Sequence, residues 1–357
     1  MQRLTIREVA RAAGVSPATV SRVLNGTDAG HVSAETKERI RSIINNLGYT
    51  PSKLARALRK KRAEIIAVVL PDVSNVFFAL IARAVEAVCF RYGYATIICD
   101  SNNMLTKENQ YLDILPSEGV AGIVFVPVGE PDKHRLSQAL HAGVPVVVAD
   151  RHVEGFPVVE AANHEGSQEL TKYVISLGYK KILYIAGPKN ISTAADRLAG
   201  FCQAMEEMKL TPVDILHGNF TYESGYELGK TVFRSNVVDC VVCANDLMAV
   251  GVLNAALEEG VSVPYELGIA GFDRAWFAAI TRPRLTTVEV PVYQIGHEAA
   301  SMLLEGRNES KRLKVKLVVG ESCCLKKEVI ARARLEIKRE SEVVKVPKRR
   351  VCRKAGR

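Results

Sequence analysis

The sequence predicts an all-α helix-turn-helix head followed by a two-lobed α/β body built on parallel sheets. Three observations lead there. Charge is segregated: residues 1–62 hold 13 Lys and Arg against 4 Asp and Glu, residues 63–325 hold 22 against 31, and residues 326–357 hold 13 against 4. The net charge of +9 therefore averages a basic head, an acidic body and a basic tail, and such asymmetry points to a polyanion partner at one or both ends. Apolar residues recur at helical spacing up to Gly48. From Ile65 onward, short β-branched runs alternate with helical segments, the pattern of parallel sheets covered on both faces.

The totals exclude several classes. A chain of 357 residues, 48% hydrophobic and 24% charged, suits two or three domains with real cores rather than wholesale disorder. No apolar run reaches the ~18–20 residues of a membrane span. The start, MQRLTIREVARAAG, lacks the apolar stretch of a signal peptide, so a cytoplasmic protein without membrane contact is expected. Among eight cysteines, Cys240-Val-Val-Cys243 has zinc or redox spacing, but it lies inside the apolar run VVDCVVCA and lacks a second ligand pair. It reads as core strand in a reducing compartment, and Cys323–Cys324 adds nothing. No metal site is expected.

In the head, Ile6, Val9, Ala10 and Ala13 share one helix face. Gly14-Val15 interrupts, and Ser16-Pro17 supplies an N-cap with proline at the first helical position. The second helix turns Val20, Val23 and Leu24 inward and ends near Asn25-Gly26. Two short helices joined by a tight Gly-containing turn form a helix-turn-helix. The outward set, Pro17, Ala18, Thr19, Ser21, Arg22 and Asn25, has small residues near its start, no acid, and one arginine able to offer a bidentate donor pair to guanine. Thr5 and Ser16, at the two helix starts, complete the expected DNA-facing residues. A third helix begins at Ser33, carries Ile40, Ile43, Ile44 and Leu47 as its stripe, and stops at Gly48. Then comes SKLARALRKKR, strongly basic and without a wide apolar face.

Here the sequence becomes specific. VARAAGVSPATVSRVLN, VSAETKERI, LGYTPS and LARALR resemble the LacI/GalR family of bacterial transcriptional repressors, and the likeness continues through PDVSNVFF, VPVVVADR, DRLAGF, CANDLMAVG and IAGFD. It covers about residues 3–325. The resemblance implies a headpiece (1–50), a hinge helix (51–62), a periplasmic-binding-protein-like type I effector and dimerisation domain (63–325), and a basic tail (326–357). In that family the hinge leucine, here Leu58, wedges into a minor-groove base step with Ala55 near it, which would kink the duplex at a cost of a few kcal/mol. Two hinges need two chains, so a homodimer on double-stranded palindromic operator DNA is implied, under allosteric control by a small molecule.

Within the body, the strand candidates are IIAVVL, ATIICD, GIVFVPV, PVVVAD, KILYIAG, CVVCAND and LGIAGFD. They group into a first lobe, about 63–160 plus 290–320, and a second, about 161–289. Ligands of open parallel sheets bind beyond the strands' carboxyl ends. Those ends present Asp72 with Phe77 and Phe78, Asp150 with Arg151, Asn245 with Asp246, and Asp273; Arg197 and Phe220 follow two further strands. Planar polar groups that take paired hydroxyls, with aromatics over an apolar face, are the chemistry of a sugar site. The effector-binding candidates are therefore Phe77, Phe78, Asp150, Arg151, Arg197, Phe220, Asn245 and Asp273. Asp72 and Asp246 are expected to cap the helices that follow them, and Trp276 to lie in core or lobe interface.

Departures from the family sharpen the ligand. Ile191, Ala162 and Val128 stand where purine-responsive or other members carry polar groups, so a sugar or related polyol is expected, with a phosphosugar open because of the two arginines. A purine corepressor or a phosphocarrier protein corepressor remains the alternative, and a sugar receptor without a regulatory role the alternative from another class. ESGYELGKT falls short of a phosphate loop because Ser224 occupies the required glycine position. No nucleophile–base set assembles, so no enzyme, catalytic residue or cofactor is expected. The tail lacks a leucine heptad, which gives no basis for a tetramerising coiled coil, and reads as a solvated basic arm. The sequence thus predicts a repressor of a sugar-utilisation operon.

Overall fold

The computed structural model describes residues 4–25, 31–49, 63–233 and 237–326, which belong to two units, Met1–Glu64 and Ile65–Arg357. The hinge candidates Ala55 and Leu58 and the tail from residue 327 lie outside the described residues.

In the first unit, side chains take up the orphan amides at each helix start. Helix α1 (Ile6–Ala13) opens at Thr5, whose amide and hydroxyl both donate to Glu8 Oε2, at 2.6 and 2.9 Å. It stops at Gly14, where φ of +66° lets the Val15 amide donate back to the Ala10 carbonyl at 3.0 Å. Helix α2 (Pro17–Asn25) opens with Ser16 Oγ accepting from the Thr19 amide at 3.1 Å. Helix α3 (Ala34–Leu47) repeats the device with Ser33 and Thr36. The three apolar faces meet on Val9, Ala10, Ala13, Val20, Val23 and Ile40, closed by Tyr49. Leu47, expected in the stripe, is exposed instead, because the stripe turns away from so small a core in the helix's last turn. Ser16→Ala is expected to cost the head about 1 kcal/mol. The measurement is the midpoint of its helical unfolding transition in the intact chain.

The second unit runs β1 (Ile65–Leu70), α4 (Val76–Arg91), β2 (Ala95–Asp100), α5 (Leu105–Ser117), β3 (Gly122–Phe125), α6 (Lys133–His141), β4 (Val146–Ala149) and β5 (Val158–Ala161). It continues through α7 (Asn163–Ser176), β6 (Ile182–Ala186), α8 (Ser192–Glu207), β7 (Asp214–His217), α9 (Tyr222–Phe233), β8 (Cys240–Cys243), α10 (Asp246–Glu258) and β9 (Gly268–Ala270). After a 3-10 turn at Trp276–Ala279 come β10 (Thr287–Glu289), α11 (Val292–Glu305), β11 (Lys311–Leu313) and β12 (Lys316–Val318).

Two parallel sheets result. The first has the order β11-β5-β4-β3-β1-β2 and the second β7-β6-β8-β9. Antiparallel β10 and β12 form a separate ribbon, which a bridge from Thr286 to Ala270 ties to the end of β9. Helices α4 and α11 pack together on one face of the first sheet, α5 and α6 on the other; α7–α8 and α9–α10 pair across the second. Strands β1, β3, β4, β6 and β8 are buried almost throughout, as expected where both faces are covered, and Cys240 and Cys243 belong to that core.

Two expected caps move by residues. Helix α4 starts at Asn75, whose Oδ1 accepts from the Phe77 amide at 3.0 Å; Asp72 instead closes the preceding turn by accepting from the Ser74 amide and hydroxyl. Likewise α10 is capped by Asn245, accepting from the Met248 amide at 3.0 Å. The residue with extended backbone just outside the helix reaches over the first turn, while Asp246, already helical, points elsewhere. Strand β3 ends at Phe125, shorter than GIVFVPV suggested, because Pro127 has no amide to continue the ladder.

Candidate functional site

The order of each sheet reverses beside its central strand, between β2 and β3 around β1 and between β7 and β8 around β6. Loops leaving opposite sides of such a point spread apart, and the crevice between them is where ligands bind. The loops beyond these carboxyl ends and the first turns of the helices that follow them carry the effector-binding candidates.

On the second lobe's side, Arg197 gathers the others. It is 3% exposed and donates through Nε to Asn163 Oδ1 at 2.8 Å and through Nη1 to the Ala244 carbonyl at 2.7 Å. Its guanidinium lies 4.0 Å from the Phe272 ring centroid. Nη1 also forms an ion pair with Asp273 Oδ1 at 2.9 Å. Burial pushes the Asp273 carboxyl up to about 6 against the pull of Arg197. Backbone strain marks the same place, with φ of +103° at Asp273 and +63° at Phe220. Asp246 sits behind, accepting from the Ala275 amide at 2.8 Å and the Thr287 hydroxyl at 2.6 Å; burial, then Asp273, raises its carboxyl far above the usual range.

On the first lobe's side, Asp150 and Arg151 are both buried, with Arg151 Nε 3.7 Å from Asp150 Oδ2. Arg151 Nη1 donates to the Pro127 carbonyl and to the Val128 carbonyl at 3.0 Å, and the guanidinium lies 5.3 Å from the Phe78 ring centroid. Asp150 Oδ1 and Arg151 Nε are buried without hydrogen-bond partners. Burial raises the Asp150 carboxyl, and Arg151 and then Arg197 oppose it.

The aromatics divide. Phe77 and Phe78 are buried and meet edge to face at 5.4 Å; Phe220 is half-buried with its ring against Gly187. The Asn245 amide is spent on the α10 cap and on donating to the Phe220 carbonyl at 2.9 Å, so it fixes the Phe220 loop. A cavity of about 510 Å³ adjoins this cluster, bounded by Phe77, Asn245, Asp273, Trp276, Glu289 and Tyr293 among others. Trp276, expected in core or lobe interface, is 64% exposed at the cavity wall, while Ala278 of the same 3-10 turn is buried and anchors it.

In the head, Thr5, Ser16, Pro17, Ala18, Arg22 and Asn25 are exposed, and Thr19 and Ser21 partly so. Asn25 Nδ2 donates to the Ser21 carbonyl at 2.7 Å and so closes the helix end. Among the described residues, no group of three or more His, Cys, Asp or Glu could hold a metal, and no helix is long and apolar enough to cross a membrane.

Two family descriptions match the chain: "Periplasmic binding proteins and sugar binding domain of LacI family" over residues 63–328, and "Bacterial regulatory proteins, lacI family" over residues 5–52. The chain belongs to the LacI family. It is a DNA-binding transcriptional regulator with the helix-turn-helix of that family. The ribose operon repressor of Halalkalibacterium halodurans is 34% identical over 307 residues, 84% of this regulator and 89% of that one. A LacI-family regulator from Enterococcus faecium with bound ribose superposes with a TM-score of 0.68 at 25% identity, covering 74% of this chain and all of that one. The lac repressor dimer bound to operator and an anti-inducer matches in fold, TM-score 0.81 at 24% identity over 90% of this LacI-family chain and 100% of that one.

Two contributors escaped the sequence reading. Asn163 holds Arg197 and shows no signal beyond a polar residue after a strand. Glu108 is fully buried in α5, and here a signal existed: with Leu112 and Leu115 it keeps the spacing of one buried helix face.

Proposed function

We propose that this regulator is a repressor of a pentose-utilisation operon whose effector, D-ribose or a close furanose relative, is held between the lobes. The carrying observation is the pair of buried hydrogen-bonding atoms left without partners where the strand ends converge, Asp150 Oδ1 and Arg151 Nε, beside the ion-paired Asp273. Buried acceptors and donors without partners cost about 1–3 kcal/mol each, and a polyol supplies hydroxyls to both at once. Asp150, Arg151, Arg197 and Asp273 take the hydroxyls; Phe77, Phe78 and Phe220 cover the ring; Asn245 positions the Phe220 loop. The names of the ribose operon repressor relatives and the ribose-bound neighbour agree with this choice. A phosphosugar fits poorly. Both arginines are already engaged by carbonyls and carboxylates, and Asp150, Asp246, Asp273 and Glu108 gather around them, so an added dianion would meet repulsion.

The head reads the operator through Thr5, Ser16, Pro17, Ala18, Thr19, Ser21, Arg22 and Asn25, with Ala55 and Leu58 at the hinge of each chain of a dimer. The protein acts by binding alone and catalyses nothing. The test is thermal unfolding with sugars, phosphosugars, guanine and hypoxanthine, alongside operator titration. At 100 times its dissociation constant, ribose should stabilise the body by about 2.7 kcal/mol. Stabilisation by a purine with no response to any sugar would overturn the reading.

A further inference from the structure

Glu108 is a buried acid that the site as described leaves unused. We propose that it is a positioning residue of the effector site, holding Arg151 in the orientation that leaves Asp150 open to the ligand. The proposal deepens the sugar reading and rests on it for the identity of the ligand.

The geometry is a grip on one peptide from two sides. Glu108 lies in the first turn of α5 and has no exposed surface. Its Oε2 accepts from the Val128 amide at 2.6 Å. Arg151 reaches the same residue from the other side, donating to the Val128 carbonyl at 3.0 Å and to the Pro127 carbonyl. Glu108 Oε1 and Arg151 Nε are both buried without hydrogen-bond partners. Among the described residues, Arg151 is the counter-charge that acts on Glu108, since Lys107 beside it turns its ammonium over the Tyr111 ring, 5.8 Å from the centroid. Arg135 of α6 is engaged by Asp113 and Asp132, and Asp100 at the end of β2 accepts from the Asn102 amide. Arg151 remains, with Asp150 beside it and Arg197 beyond.

The consequence follows from competition for one guanidinium. Ionised Glu108 draws on Arg151 through the shared Pro127–Val128 segment and at longer range, against the closer pull of Asp150, whose Oδ2 stands 3.7 Å from Nε. Protonated Glu108 leaves Asp150 to draw on Arg151 without that opposing pull. Arg151 then closes on it and consumes the acceptor a sugar hydroxyl needs. Burial pushes the Glu108 carboxyl up to about 7, against the pull of the Val128 amide and Arg151, so both forms are populated near neutrality. For a group titrating there, the ionised fraction rises about tenfold between pH 6 and 8, and ribose affinity should rise with it.

The experiment pairs calorimetry of D-ribose binding at pH 6, 7 and 8 with nuclear magnetic resonance of the Arg151 Nε–H in the ligand-free protein over the same range. Both are run on wild type and on Glu108→Gln, which keeps an acceptor for the Val128 amide. Expected are an affinity gain of about tenfold in the wild type, a weak response in Glu108→Gln with only the shallow slope that Asp273, at about 6, leaves, and an Arg151 signal that titrates near pH 7 only in the wild type. The same pH slope in both proteins, or an Arg151 signal indifferent to pH in the wild type, overturns the proposal; the latter needs no variant. If ribose fails to bind while Arg151 titrates with Glu108, the positioning role stands and the sugar reading falls.

Discussion

Replacing Arg197 with alanine is expected to cost the body about 3–5 kcal/mol, because removing one partner strands buried charge and hydrogen-bonding groups. The Arg197 guanidinium simultaneously serves Asn163, the Ala244 carbonyl and Asp273, and covers the Phe272 ring. The same change should abolish stabilisation by the effector. It should also alter the pH dependence. In the folded wild type the Asp273 carboxyl lies at about 6, above the ordinary aspartate value of about 3.9. The folded state therefore binds more protons than the unfolded one between these values, and this group makes stability fall as pH rises through that window. Without Arg197, which lowers that value, the fall should extend towards neutrality. Chemical denaturation of the full chain across pH 4–8 measures both effects. Adding Asp273→Asn to Arg197→Ala should restore part of the stability and none of the ligand response. A loss below about 1 kcal/mol, the range of exposed ion pairs, would show that the hub is solvated.

Gly200→Ala should destabilise the second lobe by about 1–3 kcal/mol, the usual cost of overpacking. Helix propensity alone argues the other way, since alanine is favoured over glycine by about 1 kcal/mol. The decision comes from α7. A Cβ at Gly200 would overlap the His164 carbonyl oxygen and come within 3.1 Å of the Gln168 amide nitrogen, and backbone of a packed helix cannot swing aside. Helix α8 must move, and Arg197 lies one turn away on it, so ligand affinity should fall together with stability. Circular dichroism melts with and without ribose test both; a rise in stability would mean that the two helices approach less closely than described.

Much of this was legible in the sequence because it follows from local chemistry. Helix starts at Ser16 and Ser33 and stops at Gly14 and Gly48 are set by side chains and backbone freedom within one turn. The alternation of β-branched runs with helical segments is likewise local, and it places strand ends where Asp150, Arg197, Asn245 and Asp273 gather. Asp72 and Asp246 show the limit: either of two adjacent polar residues can cap on paper, and the backbone angles of Asn75 and Asn245 choose. Glycines in helices show it again. Gly225 and Gly251 look like weak points of α9 and α10, yet each meets the other helix's backbone and lets the pair approach.

The sequence by itself determined the architecture, the family and the chemical types at the strand ends, because periodicity, capping and turn formation act over a few residues. Only the tertiary structure decided which of those groups still have hydrogen bonds to give. Arg197 is engaged on three partners, Asp273 among them, and Asn245 on two, whereas Asp150, Arg151 and the unforeseen Glu108 keep atoms without partners. Satisfaction of a buried polar atom depends on groups brought together from distant parts of the chain, and no local pattern encodes that meeting.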